Sequence, residues 1–198
     1  FASIRHILLL EDYMLYLLTG RFVSECSLLS STEYWDIRTK KYWPEMLEFL
    51  GVDEIWLPEI IEPGQLVGRI LPEMAEELGL SPDVKISSGC MDQVAAAVGV
   101  GNIYPGIFSE NIGSSLAICA PTEHLTYDPK RQMPVHYFAM PNTYMMHTFT
   151  TGGMCFRWFR DNFCQNEIGL QAATGMDSYY LMDLEAAQVP PGSDNLIA

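Results

Sequence analysis

Long apolar runs are missing from this sequence. The longest, residues 7–10 and 94–100, fall far short of the ~18 to 20 residues a bilayer-crossing helix needs, so no membrane is expected among its partners. Positive charge is scarce as well. Eleven Lys and Arg stand against 25 Asp and Glu, a net charge of −14, which repels phosphate backbones and anionic lipid at long range and argues against nucleic acid. A nucleotide is still allowed, because phosphates are held by local backbone N–H groups and helix N-termini rather than by net charge. Paired cysteines are absent too. Cys26, Cys90, Cys119, Cys155 and Cys164 are odd in number and widely spaced, with no Cys-x-x-Cys pair and no Cys/His set at zinc-finger spacing. Free thiols in a reducing cytosol are the favoured reading, so a cytoplasmic location is expected.

Three further absences narrow the chemistry. There is no Walker P-loop, since the Gly-x-x-x-x-Gly-Lys-Ser/Thr spacing and its lysine do not occur. His6, His124, His136 and His147 are scattered, without His-Glu-x-x-His spacing or visible pairing, so no histidine-built metal site is expected. No secretion signal opens the chain, which also lacks an initiator Met and stops inside the apolar run Leu196-Ile197-Ala198. Both ends are therefore expected to have been cut from something longer.

What is present is globular composition. Hydrophobic residues make up 48% and charged residues 18%, with 12 prolines and 15 glycines spread along the chain, and 198 residues suffice to bury a real core. Apolar residues recur at helical spacing over residues 4–18 before a Thr19-Gly20 stop, and residues 43–50 form a second helix closed by Gly51. Residues 22–31 are ambiguous, and residues 33–37 have the content of a short strand followed by a polar turn at 38–41. Residues 66–71 read as a strand entering a helix at Pro72 that Gly79 ends. Strand 83–88, a turn at Gly89 and an Ala-rich helix over 92–98 follow. After the glycine-rich link 99–106 the pattern turns to short strands at 107–112, 116–120, 135–140 and 144–150, then to helices over 153–163 and 176–187. The fold class expected is α/β, in two parts that meet near residue 102.

Within that frame, Gly89-Cys90-Met91-Asp92-Gln93 carries the most chemistry. It sets a carboxylate and an amide on the first turn of a helix leaving a strand end, where ligands bind in open α/β sheets and where the helix dipole favours an ionised carboxylate. Such a group can take a proton from an attacking alcohol. The same pattern also fits a plain N-terminal cap. Gly113, Ser114 and Ser115 form a turn between two strands that could nest an anion, and Gly152-Gly153 enters a helix whose N-terminus is a second anion position. Either run fits an ordinary turn equally well. Phe156, Trp158, Phe159 and Phe163 are expected to form the packed face of that helix, with Arg157 and Arg160 on its solvated side.

Taken in order, these runs resemble the FGGY carbohydrate kinases, with xylulokinase and its near relatives as the nearest type. The helix ending in Leu18-Thr19-Gly20, the Trp35-Asp36 strand, Leu57-Pro58-Glu59-Ile60, Gly89-Cys90-Met91-Asp92-Gln93, Asn111-Ile112-Gly113-Ser114-Ser115 and Gly152-Gly153 are colinear with that family's landmarks. Ser114 stands where the family usually has threonine. The resemblance implies a ribonuclease H-like and actin-like fold, present in part: 1–102 as the end of the first lobe and 103–198 as the start of the second. It implies ATP and Mg²⁺ as cofactors and a sugar, most simply a ketopentose such as xylulose, as phosphoryl acceptor. Asp92 would be the catalytic base, Gln93 would help to hold the sugar, and Gly113, Ser114, Ser115, Gly152 and Gly153 would lie against the nucleotide phosphates. The family's N-terminal Asp-x-Gly-Thr loop and its adenine site have no counterpart here, so these residues alone are expected to be inactive, with a homodimer among the outcomes. The rival expectation is a non-catalytic sugar-binding or assembly module on a kinase-like fold.

Overall fold

Glycine and proline punctuate the first half of the chain, and the computed structural model, which describes residues 3–196, begins or ends helices at Gly20, Pro44, Gly51, Pro72 and Gly79. Phe1, Ala2, Ile197 and Ala198, on which the reading of the chain ends rests, lie outside the described residues. Helix α1 spans Leu10–Thr19 and stops at Gly20, whose φ of 72° only glycine adopts freely. It starts six residues later than the periodicity predicts. Asp12 Oδ2 accepts the Leu9 N–H at 2.9 Å and fixes the first turn there, while Ile7 N–H donates to Trp56 O, outside any helix.

The ambiguous stretch divides into strand β1 (Val23–Glu25) and the short helix α2 (Cys26–Leu29). The strand expected at 33–37 shrinks to β2 (Trp35–Asp36), paired antiparallel with β3 (Lys41–Tyr42). Helix α3 (Pro44–Leu50) begins at proline and ends at Gly51. Strand β4 (Glu59–Ile61) pairs parallel with β1, and β5 (Leu66–Arg69) leads into helix α4 (Pro72–Leu78). Strand β6 (Lys85–Ser87) returns antiparallel to β5, and helix α5 spans Asp92–Gly99. Strands β7 (Ser109–Ile112), β8 (Ser115–Thr122), β9 (Val135–Tyr137) and β10 (Tyr144–Thr151) form a sheet in the order β7-β8-β10-β9. Helix α6 occupies Gly153–Phe163 as predicted, and α8 covers Ser178–Ala186, capped by the Asp177 side chain. Between them lies an unforeseen helix, α7 (Gln165–Thr174).

The chain forms two compact units, residues 1–110 with 118–148, and residues 111–117 with 149–198. Three apolar clusters build the first unit. Leu15, Val23, Ile61 and Val67 form one, and Cys26, Leu29, Trp35, Tyr42, Leu47 and Tyr137 form another. In the third, Met91, Val94 and Ala97 of the α5 segment pack on Cys119, Phe138 and Met145 of the sheet. Burying each large side chain stabilises this packing by about 1.5–3 kcal/mol. That third cluster is why most of strands β8 to β10 belongs with the first unit.

The second unit is built differently, with α7 packed against α6 and α8. The aromatic face expected to be packed is open: Phe156, Trp158, Phe159 and Phe163 are all exposed, and α6 buries none of its residues. These rings pair mainly with one another, as in the Trp158–Phe163 edge contact at 5.5 Å. Arg160 corrects the expectation in the other direction. Its guanidinium sits 4.6 Å from the Tyr179 ring and bonds to Asp161, leaving its side chain 22% exposed.

Candidate active site

In the first unit the loop before α5 is tied down at every step. Ser88 is buried; its hydroxyl donates to Glu62 O and accepts from Gln65 N–H. Gly89 N–H donates to Glu11 Oε1 at 2.9 Å, and Gly89 O accepts from Gly64 N–H. A Cβ at position 89 would lie 3.0 Å from that same Glu11 oxygen, so glycine gives the carboxylate room to approach. Met91 N–H donates to Ser27 Oγ at 2.9 Å. Asp92 then opens α5, exposed, with Oδ1 accepting the Gln93 N–H at 2.7 Å. Strand β6 lies in a two-stranded antiparallel ribbon. Asp92 therefore does not follow the open parallel sheet edge that the sequence pattern predicts, and these bonds set its position instead.

Gln93 is half-buried, and its Oε1 meets no donor among the described residues. That leaves a dry acceptor beside the exposed carboxylate. Beneath α5, His147 on β10 and His136 on β9 stand with ring centroids 5.4 Å apart, a pairing that their spacing did not reveal. Burial, with His147 adding a smaller push, lowers His136 to about 4. Burial also lowers His147, while the Asp92 charge opposes the shift, which places Asp92 within electrostatic reach of the sheet. The Cys119 thiol is raised, by burial first and by Asp92 in smaller part.

In the second unit the two glycine-bearing segments come together. Gly152 N–H and Met154 N–H donate to Ser114 O at 3.1 and 3.2 Å, and Gly153 N–H donates to Gly113 O at 2.9 Å. Gly113 N–H closes the turn on Ser115 O at 2.8 Å. A Cβ on Gly153 would stand 2.5 Å from Gly113 O, and one on Gly152 would stand 2.6 Å from Leu116 N. Both contacts are with backbone that cannot rotate away. The first amides of α6 are thus engaged by the turn's own carbonyls. Ser114 and Ser115 are exposed, so their hydroxyls remain as the donors with which the turn can meet an anion.

Residues 1–99 match the model of the N-terminal domain of the FGGY family of carbohydrate kinases, and the chain belongs to that family. Xylulose kinase of Haemophilus influenzae is 35% identical over 127 residues, 62% of this chain and 26% of that protein. Autoinducer-2 kinase of Escherichia coli strain K12 is 27% identical over 195 residues, 94% of this chain and 36% of that protein. Among solved structures, the ligand-bound xylulose kinase of Lactobacillus acidophilus superposes with a TM-score of 0.81 at 26% identity, covering 94% of this chain and 36% of its own. The xylulose kinase of Rhodospirillum rubrum shares the fold over all of this chain and 39% of its own, with a TM-score of 0.85 at 22% identity. The fold is therefore the α/β fold of the carbohydrate kinases, in part, and the chain spans roughly a quarter to two-fifths of the length of these relatives. No helix among the described residues is long and apolar enough to cross a membrane.

Proposed function

We propose that the full-length protein carrying this chain transfers a phosphoryl group from ATP to a hydroxyl of a sugar, with a ketopentose such as xylulose as the first candidate. Membership of the family and the names of the relatives support the reaction class. The observation that carries the reading within this chain is Asp92, exposed on the first turn of a helix whose entry loop is fixed by hydrogen bonds at Ser88, Gly89 and Met91. Residues 1–102 are the end of the actin-like first lobe and 103–198 the start of the second, which the extent of the family match supports.

In this reading the Asp92 carboxylate accepts the proton of the sugar hydroxyl as that oxygen attacks the terminal phosphorus. The phosphorus–oxygen bond to ADP breaks, and ADP leaves with the bonding electrons. General base catalysis of this kind contributes typically ~10²- to 10⁴-fold, and phosphoryl transfer needs little beyond positioning and charge stabilisation. Gln93, half-buried on the same turn as Asp92, helps to hold the sugar in this reading. The turn at Gly113, Ser114 and Ser115, held by Gly152 and Gly153, suits a phosphate because its serines are exposed. Among the described residues no group of three His, Cys, Asp or Glu could hold a metal, so no step is assigned to Mg²⁺ through this chain.

The test is sugar-dependent ADP release by the full-length protein against ketoses, polyols and aldonates. Release should fall at least ~10²-fold in Asp92→Asn, with binding of the sugar retained. Full activity in that variant removes Asp92 as the base. Sugar binding with no ADP release in the wild type leaves a binding module instead of a kinase.

A further inference from the structure

A buried carboxylate stands behind the loop that presents Asp92. Glu25, at the end of β1, is 0% exposed, as is Ser27 two residues on. Glu25 accepts three hydrogen bonds: Oε2 takes Ser27 N–H at 2.6 Å, and Oε1 takes Leu28 N–H at 2.6 Å and the Ser27 hydroxyl at 2.9 Å. Ser27 Oγ in turn accepts the Met91 N–H at 2.9 Å. Met91 is the residue on which α5 opens, its carbonyl accepting the Ala95 N–H.

The direction of this chain follows from counting protons. A hydroxyl has one hydrogen to give. When the Ser27 hydrogen points at the Glu25 carboxylate, a lone pair is left facing Met91 N–H. Three donors fill three of the roughly four lone-pair sites of Glu25, two of them on Oε1. Protonation therefore removes the charge that draws the Ser27 hydrogen, and a proton on Oε1 displaces a bond and releases the hydroxyl to turn. The Met91 amide is nearly buried, and losing its acceptor would be costly there. Glu11, from α1, holds Gly89 N–H in the same manner two residues upstream.

We propose that Glu25 is a positioning residue, which through the Ser27 hydroxyl fixes the Met91 amide and with it the first turn of α5 that carries Asp92. The proposal rests on the kinase reading for its link to catalysis, but the Glu25–Ser27–Met91 linkage itself can be measured without it. The titratable groups facing Glu25 are Glu11 from α1, the Cys26 thiol from α2 and the Cys90 thiol from the loop before α5. Burial, with smaller contributions from neighbouring carboxylates, pushes Cys26 up to about 12 and Cys90 up to about 11, so both stay neutral between pH 5 and 9. Burial raises Glu11 from its usual value and raises Glu25 to about 7, against the three donated bonds.

The experiment follows the amide resonances of positions 27 and 91 in the ¹⁵N-labelled full-length protein from pH 5.5 to 8.5, with kcat measured over the same range. In the wild type both amides should titrate together with a midpoint near 7, and kcat should fall as pH drops through it. In Ser27→Ala the amide at position 27 should still titrate, while the Met91 shift shrinks several-fold. In Glu25→Gln neither should titrate, and kcat should be roughly tenfold lower, flat across this range, with KM for ATP unchanged. A Met91 amide that still follows position 27 in Ser27→Ala overturns the linkage. A kcat step near pH 7 that survives Glu25→Gln overturns its role in turnover. Full turnover in Asp92→Asn defeats the kinase reading and leaves the amide result to stand or fall alone. Should Glu25→Gln not fold, Ser27→Ala decides the matter.

Discussion

The two compact units place their functional groups by opposite means. In the first, side chains do it: Glu11 and the Glu25–Ser27 pair reach 64 to 78 residues along the chain to hold the backbone of the Gly89–Met91 loop. In the second, backbone does it, with two glycines bringing the start of α6 onto the carbonyls of the Gly113–Ser114 turn. In the proposed reading the Asp92 carboxylate projects into a ligand, so its loop can be gripped from behind by polar side chains. The glycine turn is joined to α6 main chain to main chain, and only the removal of Cβ atoms lets two main chains come so close. The comparison teaches that a mutation of similar size acts through different physics in the two units.

The largest effect should follow from adding a methyl group where main chain meets main chain. Gly153→Ala and Gly152→Ala would set a Cβ 2.5 and 2.6 Å from backbone atoms, so each should destabilise the second unit by about 2–4 kcal/mol or displace the turn. Hydrogen exchange of the Gly153 and Met154 amides measures this. Gly68→Ala in the first unit meets nothing within 4 Å and should show no such loosening. Similar protection in all three variants would erase the contrast.

A smaller effect sharpens the description of the first unit, whose buried groups pull stability in opposite directions with pH. Glu25 rises to about 7 in the fold, so the folded state holds a proton that the unfolded chain gives up near 4.5, and stability falls as pH rises between those values. His136 drops to about 4, so below 6.5 the unfolded chain binds a proton that the fold refuses, and stability rises with pH from about 4 to 6.5. Each window is worth ~3 kcal/mol, and the two nearly cancel. Exchange of the Val94 and Met145 amides, corrected for intrinsic rates, should be nearly flat between pH 4.5 and 6.5 in the wild type. It should tilt toward stability at low pH in His136→Gln and toward stability at high pH in Glu25→Gln. Parallel slopes in the two variants would refute the opposition.

The smallest effect belongs to the surface. Arg69 and Asp83 form an ion pair with side chains 65% and 79% exposed, and Asp83→Asn should change stability by less than about 0.5 kcal/mol at physiological salt. A larger loss would mean that exposed pairs also help to hold the first unit.

Much of this was legible in the sequence where the cause is local. Pro44, Pro72, Gly51 and Gly79 mark helix ends because proline suits a first turn and glycine takes positive φ, and both effects act within one residue. Asp92, Gln93 and the two glycine turns could be picked out because strand, turn and helix signals converge on them. Helix α7 was not legible, since no residue of Gln165–Thr174 is buried and no apolar stripe announces it. The late start of α1 escaped because residues 4–9 keep an apolar spacing while the Ile7 N–H is committed to Trp56 O, 49 positions away. His136 and His147 were missed because their pairing joins two strands that only folding brings side by side, and Glu25 and Ser27 because the link from Ser27 to Met91 spans 64 residues. A Ser-Glu-Cys-Ser run leading into a helix was the one available hint, and it reads as an ordinary cap.

The distribution of sulfur has a practical consequence. Cys26, Cys119 and Cys164 are buried and Cys90 is half-covered, which leaves Cys155, in the first turn of α6, as the one exposed thiol among the described residues. A maleimide dye added to the native protein would therefore settle next to Gly152 and Gly153, and a change in its emission on adding ATP would test, with no engineered attachment point, the phosphate role proposed for that turn.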